Sequence, residues 1–231
     1  MKLSVLVASR KNSKFLAKFL FNFLEKTQLP PEEIEIFVMV SKQDDWNQEL
    51  IKFVTRFCPI KFCFEDKKLG RSGLHLYYNE MLTETTGDWV IYFCDDHYIV
   101  RQGWDEYLMN FVDSCKLDPK RIYQVVPTWD NSGSMNQMLS RGYIDTLGNI
   151  GRYGNIDSYN NHVGAQMFKP RVIAAPEPIF HDFTGDPEIM TEKHHEIEGY
   201  SPLPIIWGSE EMQGMIAEDA QKLRKAIDNG L

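Results

Sequence analysis

The sequence contains no run of about 20 apolar residues, which is the length that a membrane-spanning helix needs. Its N-terminus is interrupted by lysines and lacks the continuous apolar segment of a secretory signal peptide. These two absences predict a cytoplasmic protein without a transmembrane segment.

Basic residues are too few for a protein that binds duplex nucleic acid. The chain has 25 Lys and Arg against 33 Asp and Glu, which gives a net charge of −8 at neutral pH. Proteins that bind DNA usually present a net basic face, because they must displace the counterions around the phosphates. We therefore expect no nucleic-acid partner.

Cysteine is also scarce, and no pair has the CxxC spacing of a zinc or redox site. The four cysteines are Cys58, Cys63, Cys94 and Cys115. Two of them, Cys63 and Cys94, lie within apolar runs that read as strands. This pattern favours buried reduced thiols over disulfides or a zinc site.

What the chain does have is enough apolar sequence for a large core, at 43% hydrophobic and 13% aromatic residues over 231 positions. Short apolar runs alternate with helical patterns through residue 126, and such alternation predicts a mostly parallel sheet flanked by helices. The predicted strands are Lys2–Ala8, Ile34–Val40, Ile60–Phe64, Trp89–Cys94 and Ile122–Val126. The predicted helices lie at about residues 13–29, 45–57, 72–86 and 104–115. The fold class is therefore α/β and Rossmann-like.

The second half has a different amino-acid composition, and residues 127–165 are rich in Gly, Asn, Ser and Asp. A long loop-rich stretch inside a compact chain is usually functional. No linker separates the halves, so we expect one domain over residues 1–231, with residues 1–126 as one half and 127–231 as the other. A last amphipathic helix from Gly208 packs on its own domain by default, and a homodimer contact is the alternative.

Charged residues follow the first four predicted strands, at the edge where open parallel sheets bind ligands. They occupy residues 9–12, 41–45, 67–73 and 95–97. Cations and carboxylates gathered at one edge suit an anionic ligand together with a metal ion.

The sharpest of these segments is Asp95-Asp96-His97, which directly follows a buried strand. Adjacent carboxylates repel one another and must be solvated or bind a cation. Oxygen ligands suit Mg²⁺ or Mn²⁺, and a histidine shifts the choice toward Mn²⁺. The alternative role, capping the helix that begins at Trp104, is disfavoured because the pair lies too far upstream.

Two further segments carry weaker signals. Either Asp44 or Asp45 caps the following helix, or one of them hydrogen-bonds the base or ribose of a nucleotide. The Gly70–Gly73 segment, with Arg71, could contact phosphate at a helix N-terminus, although it is neither a P-loop nor a GxGxxG motif.

These residues carry a resemblance over about residues 2–112. The segments SVLVASR, the acidic pair after IFVMV, Gly70 to Asn79 and WVIYFCDDHYIVRQGWDEYL together resemble the nucleotide-sugar half of GT-A glycosyltransferases, especially family 2. Three features depart from that family, and one of them is that the family's later acidic motif, which holds the catalytic base, is not plainly present here. The first turn is Ala8-Ser9-Arg10-Lys11 in place of the usual tyrosine and asparagine, and His97 stands where the DxD motif has its second Asp.

The resemblance implies an inverting transfer of a sugar from a UDP, GDP or dTDP donor to a hydroxyl of a glycan or glycoconjugate, with Mn²⁺ or Mg²⁺. It makes residues 1–126 the nucleotide-sugar half and residues 127–231 the acceptor half. The residues assigned to the nucleotide sugar are Ala8, Ser9, Arg10, Asp44, Asp45, Arg71, Asp95 and Asp96.

The resemblance also implies a metal site and a catalytic base. Asp96 is the main ligand, alone or with His97, and His181 is a candidate third ligand, with an ordinary surface or core histidine as the alternative. Asp157 is the first candidate for the base, with N-cap of a helix over residues 158–166 as its alternative, and Asp130 is the second.

Other interpretations remain open at this stage. A sugar-phosphate nucleotidyltransferase shares a similar sheet but usually has a Gly-rich loop after the first strand. An inactive domain that binds nucleotide sugar or glycan is a second alternative. The aromatic residues Trp129, Tyr143, Tyr153 and Tyr159 either stack on sugar rings or pack in the core.

Overall fold

The computed structural model describes residues 1–9, 13–41, 55, 60–65, 73–95, 97–128, 136–167, 171–182 and 208–231. Its strands are β1 (Leu3–Ala8), β2 (Ile34–Ser41), β3 (Ile60–Glu65), β4 (Trp89–Cys94), β5 (His97–Ile99), β6 (Gln124–Thr128), β7 (Met138–Ser140), β8 (Val172–Pro178) and β9 (Phe180–Asp182). Its helices are α1 (Ser13–Lys26), α2 (Leu74–Leu82), α3 (Trp104–Ser114), α4 (Arg141–Leu147), α5 (Ile156–Gln166) and α6 (Glu210–Asp228). The helix predicted at residues 45–57 lies outside the described residues.

Seven strands form one sheet in the order β3-β2-β1-β4-β7-β6-β8. The pairs of β1 with β2, β1 with β4, β2 with β3 and β6 with β8 are parallel. The short strand β7 runs antiparallel to both of its neighbours. The chain therefore has the predicted α/β fold with a mostly parallel sheet, and strand order reverses between β1 and β4.

Both faces of this sheet are covered by helices. One face packs against α1 and α3, where Phe23 and Trp104 meet Phe93 of β4. The other face packs against α2, α4, α5 and α6. Alternate residues of a strand point to opposite faces, so a strand buried on both sides is apolar throughout, as β1 and β4 are.

The helix predicted over residues 72–86 is shorter in the structure and ends at Leu82. The hydroxyls of Thr83 and Thr85 bond to carbonyls three residues earlier, those of Glu80 and Leu82. Threonine side chains that bond locally compete with the helical pattern of the backbone. The chain after Leu82 therefore leaves the helix through turns at Thr83 and Glu84, and residues 85–87 have no regular structure.

The C-terminal helix α6 packs on its own domain, as predicted by default. Its buried stripe consists of Met212, Ile216, Ala220 and Leu223. Among the residues that the structure describes, no helix combines the length and the apolar character needed to cross a bilayer.

The Gly-Trp-Asp segment that contributes to the resemblance has a structural role. Gly103 has a φ of 64°, which L-residues rarely adopt, and its N–H donates to the carbonyl of Lys26. Asp105 is fully buried and accepts hydrogen bonds from the backbone N–H groups of Gln28 and Leu29. The segment therefore ties the start of α3 to the end of α1.

At the edge of the sheet opposite the predicted site, Glu35 accepts hydrogen bonds from several donors. They include Nζ of Lys2, Oγ of Ser4 at 2.6 Å and the N–H of Thr86 at 2.6 Å. Burial alone would raise the pKa of Glu35, but hydrogen bonds from Lys2, Ser4 and Thr86 outweigh it and lower the pKa to about 2.

Replacing Glu35 with glutamine should therefore destabilise the protein in a pH-dependent way. A carboxyl whose folded pKa lies below its unfolded value of 4.5 stabilises the fold above that pH and loses this effect as pH falls toward 2. The full effect is about 3 kcal/mol near neutral pH. Urea unfolding at several pH values measures it, with Glu84→Gln as the control because Glu84 pairs with Lys61 at an exposed site. If the free energy of unfolding that Glu35→Gln loses relative to wild type stays constant down to pH 2.5, this account is wrong.

Candidate functional site

The reversal of strand order places Ser9 and Asp95 side by side. Ala8 pairs with Cys94 in the parallel register of β1 and β4, so the next residue of each strand lies at the same edge. Oγ of Ser9 donates a hydrogen bond of 2.6 Å to Oδ2 of Asp95, and both side chains are buried. Ala8 itself packs its side chain in the core. The structure thus brings together three residues that the sequence assigned to one site.

His97 begins β5, two residues after Asp95, and its side chain is turned into the core. It is only 1% exposed. Its ring lies edge-on to Phe93 and Phe180, with centroid distances of 6.1 and 5.3 Å. Nδ1 lies 2.9 Å from the backbone N and 3.0 Å from the backbone O of Cys94.

A two-stranded ribbon brings the C-terminal part of the chain to this same segment. β9 pairs antiparallel with β5, and Tyr98 lies opposite His181 while His97 lies opposite Asp182. His181 is therefore one strand away from the Asp95–His97 segment, although it is more than 80 positions later in the sequence. The sequence suggested this proximity only through the resemblance.

Asp157 lies in the first turn of α5, and the backbone N–H of Asn136 donates to its Oδ1 at 2.8 Å. The alternative role as N-cap is wrong, because the helix begins at Ile156 and its N-cap is Asn155. Ile156 is 2% exposed and packs in the core, and the helix starts two residues earlier than predicted. Asp157 therefore points its carboxylate at the loop before β7.

The loop before β7 connects Asp157 to the end of β4. Met138 pairs with Ile91, so Gln137 stands beside the last residues of β4. Nε2 of Gln137 lies 3.2 Å from the carbonyl oxygen of Asp157, and its Oε1 accepts a hydrogen bond from the hydroxyl of Tyr92. The predicted base and the predicted metal segment consequently lie at the same edge of the sheet.

Two buried tyrosines beneath this edge were not predicted. The hydroxyl of Tyr78 on α2 donates to the carbonyl of Phe93 at 2.7 Å, and its ring packs on that of Tyr92. Burial raises the pKa of both tyrosines well above the usual value, and the negative charge of Asp157 adds to this effect. Both phenols therefore stay neutral and act as hydrogen-bond donors that hold the end of β4.

Asn79, at the end of the Gly70–Asn79 segment, positions the loop that leads into α5. Its Nδ2 donates to the carbonyl of Gly151 at 3.0 Å, and its Oδ1 accepts from the N–H of Ile150 at 2.8 Å. The helical position of Asn79 gave no sign of this paired contact, since both partners are about 70 residues away in sequence.

Other predictions are resolved in part. Tyr143, Tyr153 and Tyr159 are buried in the core, as the less specific of their two interpretations predicts. Cys63, Cys94 and Cys115 are free thiols, but the expectation that they are buried is wrong, because Cys63 and Cys94 are half-buried and Cys115 is exposed. Cys58 lies outside the described residues. Site predictions outside the described residues are Arg10, Asp44, Asp45, Arg71, Asp96 and Asp130, together with the aromatic Trp129.

Within the described part of the chain, no three His, Cys, Asp or Glu side chains gather as a metal-binding group.

Several solved structures of glycosyltransferases have the same fold as this chain. The mannosyltransferase PcManGT from Pyrobaculum calidifontis, in complex with GDP-Man and Mn²⁺, has a TM-score of 0.66 at 14% identity, over 100% of this chain and 76% of that one. S. aureus TarS has a TM-score of 0.62 at 14% identity over 79% of this chain. TarS residues 1–349 in complex with UDP-GlcNAc have a TM-score of 0.59 at 13% identity, over 96% of this chain and 72% of that one.

The chain spans only 36% of the length of the TarS structure. No family profile matches the sequence, and no curated protein does so either. At these identities the likeness establishes the fold and leaves the activity to be argued from the site. The chain has the GT-A fold of glycosyltransferases.

Proposed function

We propose that this protein is a metal-dependent glycosyltransferase that moves a sugar from a nucleoside diphosphate sugar to an acceptor hydroxyl, with inversion at the anomeric carbon. The observation that carries the proposal is the buried contact of Ser9 with Asp95 at the point where strand order reverses in a GT-A fold. Open α/β sheets bind their ligands at this point. Structures of the same fold contain UDP-GlcNAc in one case and GDP-Man with Mn²⁺ in another.

The donor nucleotide is assigned to the edge formed by the ends of β1, β2 and β4. Ala8, Ser9 and Asp95 lie at the ends of β1 and β4, where a nucleoside can be held against the backbone. Asp44 or Asp45 would contact the base or ribose, and Arg10 and Arg71 would balance the charge of the diphosphate. These four residues follow β1, β2 and β3 in the sequence.

The donor set at this edge suits a hard divalent cation. Asp95 is a buried carboxylate at the end of β4, Asp96 follows it, and carboxylate oxygens are the ligands that Mg²⁺ and Mn²⁺ favour. We assign the ion chiefly to Asp96, and His181 remains a candidate ligand because β9 runs beside β5. Such a cation would neutralise charge on the diphosphate leaving group.

Asp157 is assigned as the base. In an inverting transfer, the acceptor oxygen forms a bond to the anomeric carbon while the bond from that carbon to the diphosphate oxygen breaks. The proton of the acceptor hydroxyl passes to a carboxylate near the attack path. Asp157 is half-buried at the same edge as Asp95 and is held by the N–H of Asn136. Asp130 is the second choice, on its position in the sequence alone.

Thermal unfolding with UDP, GDP and dTDP, each with Mn²⁺, Mg²⁺ or EDTA, tests the donor site. A ligand at 100 times its dissociation constant stabilises the protein by about 2.7 kcal/mol, which raises the midpoint by about 5–10 °C for a chain of this size. We expect such a shift for one nucleotide, with metal present, and expect Asp96→Asn to remove it.

The matched control is Asp113→Asn, which changes an exposed aspartate on α3 and should keep the full shift. No shift with any of the three nucleotides would contradict the donor-site assignment. A metal-dependent shift without any release of nucleoside diphosphate from nucleotide sugars would instead favour a domain that binds the donor without turnover.

A further inference from the structure

Two residues separate β4 from β5, and they are the two aspartates predicted for the site. β4 ends at Cys94 and β5 begins at His97, so only Asp95 and Asp96 lie between the strands. A contact between Cys94 and His97 therefore joins the two ends of this connection.

The side chain of His97 contacts the backbone at the other end of this connection. Nδ1 lies at 2.9 Å from the backbone N and 3.0 Å from the backbone O of Cys94, three residues earlier. In one tautomer Nδ1 accepts from the N–H, and in the other it donates to the carbonyl. In both, the imidazole links the first and last residues of the segment.

The rest of the ring is enclosed by the core. Phe93 and Phe180 meet it edge-on with interplanar angles of 70° and 84°, and Nε2 is buried as well. A divalent ion at Nε2 would have to leave water for an environment that two phenyl rings help to form, which is costly. The aromatic packing fixes the orientation of the ring, and this orientation directs Nδ1 at Cys94.

We propose that His97 is a positioning residue that holds the turn between Cys94 and His97 through Nδ1 and thereby supports the predicted metal site, rather than a metal ligand. The metal part of this proposal rests on the proposed function, whereas the part about the turn does not. The sequence motif leaves open whether His97 is a metal ligand, and the contact of Nδ1 with Cys94 favours a role in holding the turn.

Asparagine and glutamine at position 97 separate the two roles. The amide of asparagine stands close to the position of Nδ1, and the amide of glutamine stands close to that of Nε2. His97→Asn therefore keeps the contact with Cys94, and His97→Gln keeps only a group that could ligate an ion. His97→Phe keeps the aromatic packing and removes both nitrogens.

The first readout is thermal unfolding of the metal-free protein in EDTA. We expect His97→Asn to have a lower midpoint than the wild type, because the smaller side chain leaves part of the space beside Phe93 and Phe180 empty. His97→Gln and His97→Phe should have clearly lower midpoints than His97→Asn. If the midpoint of His97→Asn is as low as that of His97→Gln, Nδ1 does not hold the turn and the proposal is wrong. The same conclusion follows if the midpoints of all three variants equal that of the wild type.

The second readout is the affinity of the folded variants for Mn²⁺, measured by calorimetry with UDP or GDP present. Loss of a residue that orients a ligand typically weakens metal binding by about 10–100-fold. We expect that loss for His97→Gln and near wild-type affinity for His97→Asn. The reverse order, with His97→Gln binding Mn²⁺ and His97→Asn failing to bind while both unfold normally in EDTA, would make His97 a ligand and overturn the proposal.

Failure of the proposed function gives a different result. If wild-type protein binds no Mn²⁺ with either nucleotide, the donor-site assignment fails, and with it the role of His97 toward the metal. The ranking of the variants in EDTA still decides whether Nδ1 holds the turn.

Discussion

Replacing Asp157 with asparagine should lower the rate of sugar transfer by about 10²–10⁴-fold, the usual contribution of a general base. Asparagine has nearly the same shape and can still accept the hydrogen bond from Asn136, so α5 should keep its place. The amide cannot take up the proton of the acceptor hydroxyl. The measurement is the turnover number with a saturating donor, once the donor nucleotide is known.

Donor affinity separates a catalytic role of Asp157 from a structural one. The dissociation constant for the nucleotide should change little in Asp157→Asn, because the assigned donor contacts come from the ends of β1 and β4 and from residues that follow β1 to β4. Asp145→Asn is the matched control, since Asp145 is exposed on α4. A turnover number within about threefold of wild type would show that Asp157 is not the base. Asp130 would then be the next carboxylate to test.

Replacing Asp219 with alanine should cause the largest loss of stability among the variants considered. Asp219 on α6 is completely buried, and its Oδ2 accepts a hydrogen bond of 2.7 Å from the hydroxyl of Tyr159. Its Oδ1 lies 3.2 Å from Nη1 of Arg152. Removing one partner of a buried charged pair costs about 3–5 kcal/mol. Here Arg152 keeps its contact with Glu218, and Tyr159 keeps its bond to the carbonyl of Met215. Since Arg152 is partly exposed, we expect the lower end of this range.

Urea unfolding measures this loss, and neighbouring substitutions provide the controls. Glu218→Ala removes an exposed carboxylate that also contacts Arg152, and its effect should be small. Asp219→Asn keeps an acceptor for Tyr159 but loses the charge beside Arg152. Its loss of stability should therefore lie between those of Glu218→Ala and Asp219→Ala. A stability of Asp219→Ala equal to that of Glu218→Ala would show that the buried contact does not hold α6 to α5.

The contact between Asp219 and Tyr159 also supports the helix that carries Asp157, the proposed base. Tyr159 is two residues after Asp157 on the same helix, and Asp219 fixes it from the C-terminal helix. The long acidic helix at the end of the chain therefore supports the element that carries the proposed base. The sequence indicated only that α6 is amphipathic, because a contact over 60 positions leaves no local pattern.

The parts of the fold that the sequence predicts are those with a local cause. The strands β1 to β4 are short apolar runs, and the stripe of α1 recurs at helical spacing, so burial alone determines both. Their parallel order follows from the alternation of strands and helices. Ser9 and Asp95 were assigned to one site for the same reason, since each follows a strand whose end lies at the same edge.

The parts that the sequence misses depend on long-range pairing. β9 pairs with β5 across about 80 residues, and β7 is inserted antiparallel into a sheet that otherwise reads as parallel. His97 was interpreted through the motif Asp95-Asp96-His97 alone. In the structure, buried His97, exposed Tyr98 and buried Ile99 alternate as in a strand. The residues His-Tyr-Ile do not alternate between polar and apolar types, so no sequence pattern indicated that His97 faces the core.

Paramagnetic broadening by Mn²⁺ in the amide NMR spectrum of the labelled protein, with UDP or GDP present, tests the central claim most directly. The unpaired electrons of Mn²⁺ erase signals of nearby amides, so the spectrum locates the ion without any assumption about the reaction. The account predicts that the signals of Ser9, Asp95 and His97 vanish, while those of Lys2 and Gly87 at the opposite edge of the sheet persist. Loss of signals at that opposite edge, or no selective loss at all, would contradict a metal-dependent donor site at the ends of β1 and β4.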